Sequence, residues 1–257
     1  MLLAVVAVFG LLLGSFTNVL IARVPYGRSV VTGRSACMSC GHTIAWYDNV
    51  PVLSWALLRG RCRHCRSPIS WLYPAVEAAV ALLCVLTVLT WSLSITSLLF
   101  CVLAVASVAL FVIDIRHRRL PHRIVLPTLA IVVILAGIAW IVGERDTWWS
   151  ALVGMLALGG FYGVLWFVYP RGMGFGDVTT AALIGFAAGF LGYQELAVAA
   201  IAGPLLGGVI VIVLAALGRL KRGIAVPYGP ALLAGGWVGF VAGPTIAELY
   251  LDVLGVS

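Results

Sequence analysis

Two aspartates and four cysteines are the residues of this 257-residue sequence whose types and positions could do chemistry. Asp114 closes an apolar run in Phe111-Val-Ile-Asp-Ile-Arg116, and Asp177 opens another in Gly172-Met-Gly-Phe-Gly-Asp-Val178. Two carboxylates that approach each other in a low dielectric cannot both stay ionised, so one keeps a proton while the other acts as a base. Such a pair can deprotonate a water, direct it at a peptide carbonyl and protonate the leaving amine. Gly174, Phe175 and Gly176, directly before Asp177, form a glycine-rich loop that would let backbone approach a bound extended peptide. Each aspartate also has a simpler reading. Asp177 suits a helix N-cap, where Asp is strongly preferred, and Asp114 would neutralise Arg116, Arg118 or Arg119. A proton-coupled transporter site is a further use for two carboxylates in a membrane.

The cysteines come as Cys37-Met-Ser-Cys40 and, after 21 intervening residues, Cys62-Arg-His-Cys65. Two Cys-x-x-Cys knuckles at this separation are expected to form a tetrahedral thiolate site of the zinc-ribbon kind, with a small hairpin between them. Two disulfides are the alternative, disfavoured if the segment faces a reducing cytosol. A segment of about 50 residues buries little core, so a metal would supply much of its folding energy. His42 and His64 are spare ligands. Cys84 and Cys101 lie in apolar runs and are read as buried hydrophobes.

Composition fixes the solvent around these residues. The chain is 63% hydrophobic and 10% charged, against roughly 25% charged in soluble domains. Apolar runs near 2–22, 75–93, 96–114, 124–143, 148–169, 177–193, 196–217 and 227–249 predict an all-α polytopic membrane protein with about eight transmembrane helices. The expected organisation is a first transmembrane helix at 1–22, a zinc-binding insertion at 23–74 and a seven-helix membrane catalytic domain at 75–257.

Orientation follows from the loops. Of 16 Lys and Arg residues, all but Arg145 fall on one side if the runs alternate: Arg23, Arg28, Arg34, Arg59, Arg61, Arg63 and Arg66; Arg116, Arg118, Arg119 and Arg123; Arg171; and Arg219, Lys221 and Arg222. Basic loops stay in the cytoplasm. Both termini are therefore expected outside, with the insertion, Asp114 and Asp177 at the cytoplasmic face. The net charge of +7 reads as this topology signal, with no nucleic-acid partner expected. The first run lacks a basic n-region and a small-residue cleavage site, so it reads as a span and not as a cleaved signal. No internal repeat stands out. Small residues, as in Leu206-Gly-Gly-Val209 and Leu233-Ala-Gly-Gly236, are expected at helix contacts.

The motifs taken together resemble the bacterial type IV prepilin leader peptidases, membrane aspartyl proteases of the Gly-x-Gly-Asp class. The resemblance spans nearly the whole chain. Gly14-Ser-Phe-Thr-Asn-Val19 with Arg23-Val-Pro25 is similar to the opening motif, and the four cysteines to the family's metal knuckles. Trp46-Tyr-Asp-Asn-Val-Pro-Val-Leu-Ser-Trp55, Leu58-Arg-Gly-Arg-Cys62, Ile69-Ser70, Tyr73-Pro74 and Glu77 are similar to the segments between and after them. Gly174-Phe-Gly-Asp177 resembles the signature, Asp114 the first catalytic aspartate, and Pro227-Tyr-Gly-Pro230 a late motif.

This resemblance implies cleavage of the basic leader of prepilins or pseudopilins after a glycine, at the cytoplasmic face of the bacterial inner membrane. It assigns the catalysis to Asp114 and Asp177. It also implies N-methylation of the new N-terminus from S-adenosylmethionine, and a place in type IV pilus or type II secretion assembly. Two positions depart from the family pattern. Pro121 is followed by His122 where Asp or Asn is usual, and Thr179 stands where Lys is usual. The alternatives from other classes are a proton-coupled secondary transporter, against which no pair of broken helices recurs in two halves, and a non-enzymatic assembly factor.

Overall fold

In hydrocarbon, each backbone N–H and C=O must find its partner within the protein, which leaves a chain this apolar little choice but helix. The computed structural model describes residues 1–170, 172–218 and 227–255. Arg171, Arg219, Lys221 and Arg222, used above for orientation, lie outside the described residues. The helices are α1 Leu2–Arg23, α2 Leu53–Leu57, α3 Leu72–Trp91, α4 Ile95–His117, α5 His122–Ile141, α6 Trp148–Val168, α7 Phe175–Leu191, α8 Tyr193–Ala216 and α9 Gly229–Val253. Among the described residues there is no strand, only the isolated bridges Ala36–Thr43 and Arg61–Pro68. The protein is a multi-pass membrane protein. Seven of these helices (α1, α3, α4, α5, α6, α8 and α9) are long and apolar enough to cross a bilayer, and α7 is an apolar helix of 17 residues. At 1.5 Å per residue α7 is about 25 Å long, short of a hydrocarbon layer of about 30 Å.

The chain divides into two compact units, Met1–Ala109 and Leu110–Ser257. In the first, α1 lies directly on α3. Gly10 and Gly14, four residues apart, present backbone, and a Cβ added to them would stand 2.6 Å from the Ala81 Cα and 2.5 Å from the Glu77 Cα. Asn18 then donates from Nδ2 to the Tyr73 carbonyl at 3.1 Å. The start of α4 is set by two serines. Ser94 and Ser97 each accept the other's backbone N–H, at 3.1 and 3.0 Å, satisfying donors that a helix start leaves open.

The second unit repeats the small-residue device twice. On α6 and α7, Gly154 meets Gly185 and Ser150 meets Gly189, backbone against backbone. Ser150 also donates to the Gly189 carbonyl at 2.7 Å. On α8 and α9, Gly235, Gly239 and Gly243 meet Gly203, Ala199 and Glu195. Both partners advance by four residues in opposite directions, so each contact is an antiparallel pair with one small stripe per helix. Helix α7 packs against α5, α6, α8 and α9, and Leu183 to Leu191 are all buried. A helix enclosed by protein need not match the bilayer thickness, which is why the shortest apolar helix is tolerated.

Gly185→Leu should force α6 and α7 apart and lower the thermal midpoint in detergent by the equivalent of about 1–3 kcal/mol or more. Gly160→Leu, whose added Cβ meets nothing within 4 Å, should leave the midpoint unchanged. Equal effects would show that the stripe does not carry the packing.

Candidate active site

Asp114 lies in the last turns of α4. The helix ends just beyond it, where Arg118, at φ 52°, donates its N–H to the Asp114 carbonyl at 2.8 Å. The Asp114 side chain is 5% exposed, and its Oδ2 accepts the backbone N–H of Gly229 at 3.0 Å. Gly229 is the first residue of α9, so the open N–H of a helix start is turned onto the carboxylate. A side chain there is impossible without displacement, because an added Cβ would sit 2.7 Å from Oδ2. Pro230 follows within the first turn, where a missing N–H costs nothing.

Asp177 is the third residue of α7, and the N-cap is Gly174. The N-cap reading of Asp177 is thereby corrected by three positions. Its carboxylate still satisfies the helix start, because Oδ2 accepts the Gly174 N–H at 3.0 Å while its own N–H donates to the Gly174 carbonyl at 3.0 Å. Gly174 has no side chain to complete the reciprocal box, so the carbonyl does so. The Gly174–Gly176 loop thus lies at the N-terminal end of α7, and Phe175 there is exposed. An added Cβ on Gly176 would meet the Leu120 carbonyl oxygen at 2.6 Å, and one on Gly229 would meet Leu120 Cδ2 at 3.1 Å. Leu120 therefore touches the glycine beside each aspartate, which places Asp114 and Asp177 in one neighbourhood.

Two tyrosines belong to this site: Tyr162, which the sequence reading did not single out, and Tyr228, read there only as part of the late motif. The hydroxyls of Tyr162 and Tyr228 share a hydrogen bond of 2.6 Å, and Tyr228 directly precedes Gly229, whose N–H holds Asp114. Tyr162 is a buried polar tip in an otherwise apolar α6, which is the signal available in the sequence. The two departures from the family pattern meet each other. Thr179 Oγ1 and His122 Nδ1 are 3.3 Å apart, and Thr179 Oγ1 also lies 3.1 Å from the Gly176 carbonyl. A hydroxyl has one proton. Given to the carbonyl, it leaves the imidazole Nδ1–H as donor to Thr179.

The four knuckle cysteines converge. Their sulfurs all lie within 4.8 Å of one another, and Cys37 and Cys65 are 3.8 Å apart. Four thiolates about 2.3 Å from one tetrahedral metal lie about 3.8 Å from each other. All four are free thiols, so the residues fit a metal better than two disulfides. The Cys37 thiol is lowered to about 5 by the backbone N–H groups of Cys40 and Ser39 and then by the Ser67 hydroxyl. Ser67 also lowers Cys65, through its hydroxyl and then its N–H. His42 and His64 lie against each other, with centroids 3.5 Å apart and ring planes tilted by 40°, and are outside the cluster. Cys84 and Cys101 are buried.

The knuckles are an internal repeat whose extent goes beyond the shared Cys-x-x-Cys pairs. Cys37 N–H donates to the His42 carbonyl and Gly41 N–H to the Cys37 carbonyl; 25 positions later Cys62 pairs with Ser67, and Arg66 with Cys62, in the same way. Ile44 to Ser35 and Ile69 to Gly60 complete the match. Gly41 and Arg66 occupy equivalent left-handed positions, at φ 70° and 59°. Between the knuckles the expected hairpin is absent. Trp46–Asn49 forms a 3-10 turn and α2 follows. Arg63 grips Asp48 at 2.6 and 2.8 Å, which holds the Asp48 carboxyl below its usual range and ties that turn to the second knuckle.

Residues 8–91 match the family described as Bacterial Peptidase A24 N-terminal domain, and residues 101–216 match the Type IV leader peptidase family. Similar curated proteins include three named prepilin leader peptidase/N-methyltransferase. That of Stutzerimonas stutzeri is 31% identical over 269 residues, covering 95% of this chain and 92% of the relative. That of Pseudomonas putida is 33% identical over 271 residues, covering 96% and 93%. That of Bacillus subtilis is 30% identical over 255 residues, covering 98% and 99%. No solved structure matches.

Left-handed backbone costs a side chain about 1–2 kcal/mol, so the repeat predicts opposite outcomes at equivalent positions. Gly41→Ala should speed proteolytic nicking of the 35–70 segment, and Arg66→Gly should slow it. The same direction at both sites would contradict the equivalence.

Proposed function

The chain belongs to the Type IV leader peptidase family, and from that membership we propose that it is a membrane aspartyl endopeptidase. Its substrates are prepilins or pseudopilins, cleaved after the glycine of a basic leader, and it N-methylates the new N-terminus. Asp114 and Asp177 are the acid–base pair. The observation that carries this reading is that each holds one carboxylate oxygen on the backbone N–H of a helix start, from Gly229 and from Gly174. The ionised member removes a proton from water as the oxygen attacks the scissile carbonyl. The protonated member donates to the carbonyl oxygen, and collapse of the tetrahedral adduct sends a proton to the leaving amine. The loop Gly174, Phe175 and Gly176 receives the extended chain. A cytoplasmic face for insertion and dyad, with both termini outside the bacterial inner membrane, is supported by the distribution of 15 of 16 basic residues. A prepilin with a basic leader inside and an apolar helix in the bilayer would present its scissile bond at that depth.

Cys37, Cys40, Cys62 and Cys65 would hold zinc, which supplies folding energy to the insertion at 23–74 and no step of the hydrolysis. S-adenosylmethionine would supply the methyl group. The apolar cavity bounded by Val6, Phe9, Leu93 and Cys101 offers no charged group to recognise such a cofactor, and the methyl-transfer half of the reading rests on family membership alone.

Asp114→Asn and Asp177→Asn should each reduce leader cleavage by about 10²-fold or more while the protein still inserts. This is read as the mass of the new N-terminus on purified prepilin, and substantial processing by either variant sinks the dyad. Elemental analysis should find close to one zinc per chain, lost in the variant with Cys37→Ser and Cys40→Ser. A metal-free preparation made without chelator would count against the site.

A further inference from the structure

Helix α2 is turned inside out relative to a helix facing water. Its serine is buried: Ser54 Oγ donates to the Tyr47 carbonyl at 2.9 Å and accepts the Val50 N–H at 3.1 Å. Trp55 folds inward, with Nε1 donating to the Ile69 carbonyl at 3.1 Å. Outward, at i, i+3 and i+4 spacing, stand Leu53, Ala56 and Leu57, with Leu57 73% exposed. Nothing in a short helix requires this polarity, and water would oppose it.

The depth of this face is fixed by one hydrogen bond. Val52, the residue before α2, donates its N–H to Glu77 Oε2 at 2.8 Å. Glu77 is the sixth residue of α3 and buried, about one and a half turns inside a helix that spans the membrane. Its Cα is also the point where Gly14 of α1 packs. To reach it, Val52 adopts φ 59° and ψ −49°, a strained γ-turn conformation with positive φ that a β-branched residue rarely takes. The N-terminus of α2 is thus held at the level where α1 and α3 leave the bilayer.

Charge selects the medium that meets this face. Residues 23–74 carry seven arginines and one acid, Asp48, which Arg63 already engages. Arg59 and Arg61, directly after α2, are exposed, as is Trp71 at the start of α3. A basic partner would be repelled. An apolar face rimmed by arginine and tryptophan matches the boundary between acyl chains and anionic headgroups.

We propose that α2 is an interfacial membrane anchor: Leu53, Ala56 and Leu57 enter the headgroup–acyl boundary of an anionic bilayer, with Arg59 and Arg61 on lipid phosphates and Trp71 at the same level. The insertion is then a module lying along the membrane surface, held by α2 as well as by the two spans from which it emerges.

The test places trifluoromethyl-phenylalanine at position 57 of the full-length protein, in nanodiscs containing phosphatidylglycerol. Its fluorine signal should be broadened several-fold by doxyl-labelled lipid and little by an aqueous gadolinium chelate. The same reporter at Val31, 90% exposed in a loop, should show the reverse. Broadening by gadolinium at 57 equal to that at 31 overturns the anchor. Protection from both agents also overturns it, because it means that protein, such as a second copy, covers the face. Leu57→Asp alters a residue that is 73% exposed and should raise tryptic cleavage after Arg59 or Arg61 several-fold in the same nanodiscs; an unchanged rate counts against the proposal.

Discussion

Two backbone N–H groups, those of Gly174 and Gly229, hold the candidate catalytic carboxylates where they are. Both donors belong to helix starts, where the backbone has N–H groups with no partner inside the helix. Spending one on a carboxylate oxygen satisfies the helix and fixes the acid in a single step. The cost is borne by sequence. Gly229 must lack a Cβ because the Asp114 oxygen occupies that volume, and Gly176 must lack one because Leu120 does. The late Pro227-Tyr-Gly-Pro230 motif, remote from both aspartates in the chain, is thereby explained as part of the site: its glycine donates to Asp114 and its tyrosine binds Tyr162.

Placement of Asp177 depends in turn on how α7 is held. A 17-residue helix exposed to lipid would have to thin the bilayer or recruit flanking residues. Enclosure by α5, α6, α8 and α9 removes that demand, and the small residues Gly154, Ser150, Gly185 and Gly189 make the enclosure close. Without a hydrophobic force between helices in lipid, close backbone approach and hydrogen bonds such as Ser150 to Gly189 are the attraction available. The glycine content of the chain and the position of its second acid are therefore one problem in packing.

The insertion solves its own stability differently. Its knuckles are built by local hydrogen bonds and four convergent thiols, with the Arg63–Asp48 pair as an exposed tie of small worth. Its one deep anchor is the Val52–Glu77 bond. Glu77 matched a family motif in the sequence but had no assigned task. Its partner is a backbone N–H 25 residues earlier, and a backbone group leaves no trace in residue types.

Composition and hydropathy alone determined that the chain is a helical membrane protein, because a chain so apolar and so sparing of charge has no other solvent. The scarcity of acids made Asp114 and Asp177 stand out, and Cys-x-x-Cys spacing marked the four thiols that the fold brings together, because a tight turn draws the two thiols of each pair to one side. Tertiary structure alone decided the rest. The serial positions of Gly229 and Tyr162 give no hint of what they touch, since helix packing joins Gly229 to Asp114 across 115 positions and Tyr162 to Tyr228 across 66. The repeat at 35–44 and 60–69 showed in the sequence only as the two Cys-x-x-Cys pairs and a shared isoleucine, because the rest of it is carried by backbone hydrogen bonds. Between the knuckles α2 stands where a hairpin was expected, and its start is fixed by a bond the residue types do not show, from the Val52 N–H to a buried glutamate in α3.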